Sequence, residues 1–335
     1  MKVLKGYRFR IYPDEEQLTF FKQTFGCVRF TYNQLLMARK GTANSEESMK
    51  LTPAALKKDY PFLKKTDSLA LANAQRNLER AYANFFQGRA GYPKLKSKKN
   101  SWQSYTTNNQ KHTIYFIDGK LKLPKLKSLV QVHQHREIKG MIRSATISAK
   151  NNEEFYVSLL CLEEVSFLPK TKKVIGISYC PQRLIQLSQS FDNLPNIEEQ
   201  LLGDKLEKAQ KKLQLRAKIA KKHKVRLRDA KNYQKQKQRV QKLIQEKACK
   251  KNDFIDQLTF LLVKEFDYIF VEKQPRITDS EEDNPFTSTD WYSFTQKLTY
   301  KTQWYGKEYL AVESPDDSIR SSRIIEELGK QQLDL

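Results

Sequence analysis

The chain contains four cysteines and four histidines, the residue types that most often bind transition metals or act as nucleophiles. The cysteines stand at 27, 161, 180 and 249, too far apart for the paired CxxC spacing of a zinc ribbon. The histidines form no HExxH pattern. His133 and His135 share one face of a predicted strand, where a surface or RNA contact is the alternative to a metal site. The cysteines are typical of free thiols in a reducing compartment, and we expect no cofactor.

The chain carries a large excess of positive charge. Its 335 residues include 61 Lys+Arg against 38 Asp+Glu, a formal net charge of +23, with a pI ≈ 9.7. Such a charge predicts a polyanionic partner, first nucleic acid and second an anionic membrane surface. A merely basic globular protein is the third interpretation. We expect no membrane association, because we find no signal peptide and no apolar run of about 18 residues.

Two segments concentrate the basic residues. Residues 89–99 hold five basic residues and no acidic one, and residues 204–251 hold 19 Lys+Arg against four Asp+Glu. The first is predicted as a loop, and the second as two helices with a polar turn near 223–232. Each segment is either a solvated surface or a phosphate-binding surface. The second supplies most of the net charge and therefore dominates the long-range electrostatic field.

The N-terminal part of the chain is predicted as one strand followed by helices. Residues 2–12 alternate, which places three apolar residues on one face and two arginines on the other: Tyr7, Phe9 and Ile11 against Arg8 and Arg10. Asp14 and Gln17 predict a capping box at the start of a helix, which Gly26 could interrupt. A second helix is predicted over 67–87, capped by Asp67.

The remainder is predicted as a β-rich segment followed by alternating strands and helices. Asp118-Gly119 predicts a hairpin turn, and strands around Asn151-Asn152 could close a small barrel with residues 2–12. The later elements are a strand pair at 174–190, a helix at 254–266, a strand at 268–272, a helix at 289–304, a strand at 308–312 and a possible short helix at 324–328.

Five segments, taken in order and spacing, resemble the TnpB (OrfB) proteins of bacterial insertion sequences, which are RNA-guided nucleases related to type V CRISPR effectors. The resemblance runs from residue 1 to about 322. Any one segment is a weak signal, but five in order are specific. The segments are YRFRIYPDEEQ with FGCVRFTYN, NLERAYANFF, GKLKLPKL, KACKKNDFIDQLTFLLVKEFDYIFVE, and WYSFTQKLTYKTQWYGKEYLAV.

The resemblance implies an α+β multidomain fold. Residues 1–12 and 100–168 would form a wedge β-barrel, and residues 13–99 would form an inserted helical recognition lobe. Residues 172–335 would form a RuvC-like (RNase-H-like) α/β domain that lacks the family's zinc ribbon. The elements predicted from the residues alone agree with this arrangement.

The resemblance also implies that the nuclease chemistry is lost. Family members hold two Mg²⁺ ions with three carboxylates. Ser178 stands where the first Asp is expected, in the stretch 176–180, and Glu272 matches the second. After SIRSS the sequence continues as RIIEELGKQQLDL, so we expect neither the zinc ribbon nor the third Asp. Asp316 and Asp317 are weak substitutes, because they follow the last strand. We therefore expect no catalytic Mg²⁺ and no enzyme activity.

What remains is binding. The resemblance implies a guide RNA and a target double-stranded DNA with a short adjacent motif, in a ribonucleoprotein containing one copy of the chain. Nuclease-dead relatives of the TldR type act as transcriptional repressors by forming an R-loop at a promoter, and this sequence resembles them. We expect a bacterial cytoplasmic protein associated with the nucleoid. The alternatives are an RNA-binding, transposon-derived protein without DNA targeting, a decaying transposon fragment, and a residual nuclease with a rearranged site.

Residues 68–72 and 105–109 match the family's motif-reading regions. The second keeps the family's Thr/Asn character, but the first lacks the Lys and Gln of a well-known member, so the DNA motif cannot be carried over. The candidate nucleic-acid contacts are basic, aromatic, hydroxyl and amide side chains throughout the chain: Tyr7, Arg8, Arg10, Arg29, Tyr32, Asn33, Arg76, Arg80, Lys94, Lys96, Lys98, Lys99, Tyr105, Thr106, Thr107, Asn108, Asn109, Lys122, Lys125, Lys208, Lys212, Arg239, Lys242, Lys250 and Lys251.

Overall fold

The computed structural model describes residues 1–41, 51–151, 153–191, 194–195, 203–273, 286–313 and 321–333. The chain divides into two units, Lys2–Glu164 and Val165–Leu335, with Met1 joining the second. Asn152, Asp316 and Asp317 lie outside the described residues. No described helix combines the length and the apolar character needed to cross a bilayer.

The first unit joins a seven-stranded sheet to a group of helices. The sheet order is β2-β6-β7-β1-β5-β4-β3, and every pairing is antiparallel. In chain order the elements are β1 (Lys2–Tyr12), α1 (Glu15–Gly41), α2 (Pro53–Asp59), a 3₁₀ turn (Pro61–Lys65), α3 (Ser68–Phe86), β2 (Trp102–Asn108), β3 (Tyr115–Ile117), β4 (Lys120–Lys122), β5 (Val130–His133), β6 (Met141–Lys150) and β7 (Glu154–Glu164).

Alternation along the strands gives this sheet one buried face and one outer face. Phe9 and Ile11 of β1 are buried, whereas Arg8 is exposed and Arg10 is half-buried, as the sequence predicts. α1 covers the buried face, with the ring of Phe21 6.0 Å from that of Phe155. The polar and charged residues of the outer face are therefore left on the surface of this unit.

The predicted capping box is present at the start of α1, whereas the predicted cap at the start of α3 is not. Gln17 donates its backbone N–H to the carboxylate of Asp14 at 2.8 Å, and its side-chain oxygen accepts from the Asp14 N–H at 3.2 Å. α1 then runs without interruption through Gly26. Asp67 precedes α3 but makes no side-chain cap; its carboxylate accepts a hydrogen bond from Thr107 instead.

Asp118-Gly119 forms the predicted two-residue turn between β3 and β4, with φ of 48° and 72° at its two residues. Asn109 follows the edge strand β2 and bonds to backbone groups just before β3 and in β6. Its side-chain amide donates to the carbonyls of Ile114 and Ile142, both at 2.9 Å, and its side-chain oxygen accepts from the Ile114 N–H at 2.9 Å. These bonds satisfy backbone groups at the point where the pairing of β2 with β6 ends.

The second unit has a four-stranded sheet of order β11-β10-β8-β9. β8 and β11 each pair in parallel with β10, and β9 pairs antiparallel with β8. Its elements are β8 (Val174–Cys180), β9 (Leu184–Leu187), α4 (Gly203–Lys222), α5 (Lys231–Glu265), β10 (Tyr268–Glu272), α6 (Ser288–Tyr305), β11 (Glu308–Val312) and α7 (Ser322–Gln332).

The predicted helix at 254–266 is not a separate element. It is the C-terminal part of α5, a single helix of 35 residues whose first half is basic and whose last half is apolar. The apolar half contributes Phe254, Leu258 and Leu262 to the core with α6. The basic half packs along α4 instead of entering this core. The composition of α5 therefore changes along its length, although the helix itself is continuous.

The four-stranded sheet is covered on both faces. Ile177 and Val271 pack with α5 and α6 on one face. On the other face α7 contributes Ile325 to a cluster with Phe270 and Val312. The predicted short helix at 324–328 is therefore part of a longer helix, α7, that packs against the sheet.

Asp267 and Lys307 form an ion pair whose side chains are 2% and 0% exposed. Asp267 also accepts the backbone N–H groups of Thr171 at 2.8 Å and Lys172 at 2.7 Å, which ties the entry to β8 to the start of β10. Burial opposes ionisation of this carboxyl. The bonds from Lys307 and the two N–H groups outweigh it and hold the pKa of Asp267 below its usual range.

Substituting Asp267→Asn is expected to lower the free energy of unfolding by about 3–5 kcal/mol at pH 7, because it leaves the Lys307 ammonium buried without its counter-charge. The folded-state pKa is lowered, so the stabilisation is complete above about pH 4 and disappears as the pH falls through the lower folded value. Urea denaturation from pH 7 downward should therefore show the two proteins converging in acid. Glu313→Gln, which removes an exposed partner of Lys273, is the control and should leave stability unchanged. Equal stability of the Asp267→Asn variant at pH 7 would contradict this account.

Candidate functional site

Ser178 lies inside the four-stranded sheet with its side chain fully buried. In the parallel pairing of β8 with β10, Ile177 stands opposite Val271, so Ser178 and Glu272 follow side by side on the other face. The two residues that match the family's first and second carboxylate positions are therefore neighbours, although 94 positions separate them in sequence.

The polar groups at this position are used in different ways. Glu272 is 5% exposed, and its carboxylate accepts the backbone N–H of Tyr179 at 3.0 Å, which ties β10 to β8. Within the described part of the chain, the hydroxyl of Ser178 is buried and has no hydrogen-bond partner. A buried hydroxyl without a hydrogen-bond partner costs free energy of folding, so the stability of the sheet does not favour a serine at this position.

α7 lies directly against this face of the sheet. A Cβ atom placed on Gly176 would lie 2.1 Å from the carbonyl oxygen of Ser322, and one placed on Gly329 would lie 2.2 Å from the ring of Phe270. Both contacts are possible only because glycine has no side chain. The helix backbone therefore covers β8 two residues before Ser178, and it covers β10 at Phe270.

The chemistry that this position can support follows from its charges. A two-metal nuclease centre needs several carboxylates around the ions, and a neutral hydroxyl cannot replace one. Over the described ranges no group of three or more His, Cys, Asp or Glu side chains is placed to hold a metal ion. Ser178 and Glu272 together offer one carboxylate and do not fit such a centre.

Four of the predicted nucleic-acid contacts lie in the core of the first unit, and the prediction is corrected for them: Tyr7, Tyr32, Tyr105 and Thr107. The Tyr7 hydroxyl donates to the buried Glu163 carboxylate. Burial raises the pKa of the Tyr105 hydroxyl, and Thr107 donates to Asp67. Tyr105 and Thr107 lie on the inner face of β2 and Tyr7 lies on the inner face of β1, where alternation turns a hydroxyl away from any ligand, and Tyr32 lies on the buried side of α1.

The neighbouring polar residues of the predicted motif-reading segment are half-buried and bonded within the protein. Thr106 shares a hydrogen bond with Thr146 at 2.8 Å, and Asn108 accepts one from Asn73 at 3.3 Å. Asn109 bonds to backbone groups of Ile114 and Ile142. These side chains hold β2 in place against α3 and β6.

The basic loop 89–99 is fixed to α1 through Asn33. The Asn33 side chain donates to the carbonyl of Lys96 at 3.0 Å and accepts its N–H at 2.8 Å, which is the pattern of a backbone pairing. The Lys96 ammonium lies 4.3 Å from the centre of the Tyr32 ring. Asn33 and Tyr32 thus position the loop, and the loop lysines Lys94, Lys96, Lys98 and Lys99 are exposed.

The other predicted basic contacts of the first unit differ in their surroundings. Arg76 and Arg80 are exposed on α3, away from its apolar stripe, and Lys125 is exposed. Arg29 is half-buried and donates to the side chain of Gln103 at 3.0 Å. Lys122 is also half-buried, and its ammonium donates to the carbonyls of Leu126 and Lys127, so its charge is partly used within the loop.

α4 and the first half of α5 form a helical hairpin, here called the basic hairpin (residues 203–251). Gln236 donates to the Ala209 carbonyl at 2.9 Å and Arg216 to the Asn232 carbonyl at 2.6 Å, which holds the arms together. The turn lies between Lys222 and Lys231, as predicted. Lys208, Lys212, Arg239 and Lys242 are exposed, whereas Lys250 is half-buried and Lys251 pairs with Asp290 at 2.7 Å.

Trp102 and Tyr156 are absent from the contacts predicted from the sequence, although they lie beside the predicted contact Arg8. The guanidinium of Arg8 lies 4.4 Å from the centre of the Tyr156 ring and 5.6 Å from that of Trp102. The three residues meet because β1, β7, β6 and β2 are neighbours in the sheet. The β6–β7 hairpin is local, but no local signal predicts the pairings of β1 with β7 or of β2 with β6, which join distant segments, as in Arg8 with Ser158 and Trp102 with Lys150.

Comparison with known proteins agrees with this architecture. The model of the helix-turn-helix domain of the OrfB proteins of IS605-type elements matches residues 1–47. The N-terminal segment carries an OrfB-type domain. A putative RNA-guided DNA endonuclease of Streptomyces pristinaespiralis is 27% identical over 326 residues, which cover 93% of this chain and 78% of the relative. The putative RNA-guided DNA endonuclease InsQ of Escherichia coli K12 is 25% identical over 342 residues, which cover 93% of this chain and 81% of InsQ.

A solved structure extends the likeness beyond the OrfB-type segment. The protein in a cryo-EM structure of a Cas12f1–sgRNA–target DNA complex superimposes with a TM-score of 0.53, at 10% identity and over 98% of both chains. At that identity the likeness shows the fold alone. The predicted α+β class is confirmed, with a curled sheet and helices in an architecture consistent with TnpB-like proteins.

Proposed function

We propose that this chain binds DNA under the direction of a guide RNA and does not cut it. Relatives that match over most of their length are named RNA-guided DNA endonucleases, and the fold is that of a protein solved with guide RNA and target DNA. The exposed lysines and arginines of the basic hairpin and of loop 89–99 supply the charge that a nucleic-acid backbone requires.

One observation carries the proposed loss of cleavage. Ser178 is fully buried beside Glu272, on the sheet face that α7 covers, so a neutral hydroxyl stands at the position that matches the family's first carboxylate. Without that charge the protein would not hold the metal pair that a RuvC-type cleavage needs, and we infer that it uses no catalytic Mg²⁺. The Glu272 carboxylate then serves the sheet through its bond from Tyr179.

Binding without cutting leads to a regulatory role. Base pairing between guide and target strand would select the sequence, and the protein would read only a short adjacent DNA motif. An R-loop held at a promoter blocks RNA polymerase sterically. We therefore propose a transcriptional repressor that acts as one protein copy with one guide RNA, in the bacterial cytoplasm at the nucleoid.

The experiment that tests this role is sequencing of the RNA that copurifies with the protein from its host. We expect one discrete RNA species whose 3′ segment matches a chromosomal promoter. A heterogeneous mixture of cellular RNA fragments would reject guided binding.

A second candidate function is RNA binding without DNA targeting. It is favoured by residues 105–109, where Tyr105 and Thr107 are buried and Asn109 is fully engaged with backbone groups, which leaves few side chains to read a DNA motif. Chromatin immunoprecipitation separates the two functions. Enrichment of the guide-matched promoter supports the repressor, and a bound RNA without DNA enrichment supports the second candidate.

A further inference from the structure

The outer face of the seven-stranded sheet carries a continuous polar surface across four neighbouring strands. Outward residues of β1, β7, β6 and β2 stand in register, as in the row Arg8, Ser158, Thr146, Thr106 and the next row Arg10, Tyr156, Ser148, Ser104. We call these residues, together with Trp102, the outer platform. Their inward neighbours are buried, so the platform is the solvent side of a well-packed sheet.

An arginine and two aromatic rings form one part of the outer platform. The Arg8 guanidinium lies within 4.4 Å of the Tyr156 ring centre and 5.6 Å of that of Trp102. The indole of Trp102 is 41% exposed, so much of this large apolar ring faces solvent. The rings hold the guanidinium in place and leave part of the indole surface open to a ligand.

The two arginines of the platform differ in their charge balance. Arg10 forms an ion pair with Glu154 at 3.3 Å and donates to the Tyr156 hydroxyl at 3.1 Å. Arg8 is exposed and, among the residues that the structure describes, has no carboxylate within ion-pair distance. The charge of Arg8 is therefore available to an anionic group. Arg10 and Glu154 both bond to the hydroxyl of Tyr156 and hold the ring on which Arg8 lies.

Hydroxyl groups fill the rest of the platform. Ser104 is exposed, and Thr106, Thr146, Ser148 and Ser158 are half-buried. The hydroxyls of Thr106 and Thr146 share one hydrogen bond of 2.8 Å, and each hydroxyl can both donate and accept. Such a row is suited to phosphate oxygens and to ribose 2′-hydroxyls, which also donate and accept.

We propose that the outer platform binds unpaired nucleotides of RNA. Trp102 stacks on a base, Arg8 contacts the adjacent phosphate, and the hydroxyl row bonds to the ribose. An aromatic surface beside an uncompensated arginine is the arrangement by which proteins hold single-stranded nucleic acid. The choice of RNA as the ligand rests on the proposed function. The stacking site itself rests on the positions of Trp102, Tyr156 and Arg8.

The test uses the full chain freed of copurified RNA by high salt, with a fluorescent unstructured uridine-rich RNA oligonucleotide as the probe. Trp102→Ala is expected to weaken binding by about 10- to 100-fold, because one base loses its stacking partner. Trp102→Phe keeps an aromatic face and should stay within about threefold of the unmodified protein. Tyr292→Ala removes a ring on α6 that is 65% exposed, more than that of Trp102, and it should bind normally.

The Arg8 and ribose contacts have separate readouts. Arg8→Gln should weaken binding and reduce the slope of log affinity against log salt by about 0.7, the value of one single-strand phosphate contact. The DNA oligonucleotide of matching sequence should bind more weakly than the RNA. Photo-crosslinking of the RNA probe should mark the peptide that contains Trp102. Unchanged melting temperatures exclude unfolding as the cause of lost affinity.

Two outcomes overturn the proposal. Unchanged affinity of Trp102→Ala rejects the stacking site, even if a discrete guide RNA is recovered from the host. Equal affinity for RNA and DNA, both lost in Trp102→Ala, rejects the ribose contact. Heterogeneous copurified RNA combined with a strong Trp102→Ala effect rejects the guided function and leaves the platform standing, so the two failures are distinguishable.

Discussion

Replacing Lys208, Lys212, Arg239 and Lys242 together with glutamine is expected to lower RNA affinity by about 100- to 1,000-fold at 0.1 M salt. All four side chains are exposed on the basic hairpin, and each phosphate contact releases a condensed counterion. The slope of log affinity against log salt should fall by about 3, since single-strand contacts contribute roughly 0.7 each. Filter binding between 50 and 300 mM salt measures both quantities.

The matched control removes the same charge elsewhere. Lys22, Lys64, Lys65 and Lys127 are exposed lysines outside the basic hairpin. Replacing these four with glutamine lowers the net charge equally and should change the affinity by only a few-fold. If both quadruple variants lose affinity to the same extent, the effect is one of net charge, and the basic hairpin is a solvated surface without contacts.

Ser178→Asp is expected to lower the free energy of unfolding by about 3–5 kcal/mol at pH 7. The new carboxylate would be fully buried beside the Glu272 carboxylate, with no cation among the described hydrogen-bond partners of either residue. Burial and the neighbouring charge raise the pKa of the introduced group above its unfolded value. The destabilisation should therefore be greatest at neutral pH and shrink as the group becomes protonated in acid.

Ser178→Ala is the matched control, and it should be at least as stable as the unmodified protein because the serine hydroxyl has no partner among the described residues. Magnesium separates our interpretation from a dormant metal site. Ten millimolar Mg²⁺ should not raise the melting temperature of the Ser178→Asp variant. A rise of several degrees would show that a single substitution restores a metal site, and it would contradict the proposed loss of metal binding at this position.

The elements that the sequence predicts well are those set by neighbouring residues. Period-two alternation places Phe9 inside and Arg8 outside, the capping pair Asp14–Gln17 starts α1, and Asp118-Gly119 forms its turn. The limits of β10 and β11 also agree with the prediction. In these cases the local pattern and the final fold favour the same backbone conformation.

The predictions that fail depend on contacts between distant parts of the chain. The carboxylate of Asp67 bonds to Thr107 instead of capping α3, and Tyr105 turns inward because β2 packs against α1. Arg8 is among the contacts predicted from the sequence, but its association with Trp102 could not be predicted, since strand pairing alone brings the two side chains together. The fold could be read from patterns and family resemblance, whereas the accessibility of each candidate contact required the packed structure.

The central claim, binding without cutting, is tested most directly on one labelled DNA. The protein with its copurified guide RNA is incubated with matched double-stranded DNA in Mg²⁺ or Mn²⁺, and the same sample is analysed on native and denaturing gels. We predict a retarded complex that depends on guide complementarity, with both DNA strands intact. Target cleavage that Glu272→Ala abolishes would contradict the account, and so would the absence of any guide-dependent complex.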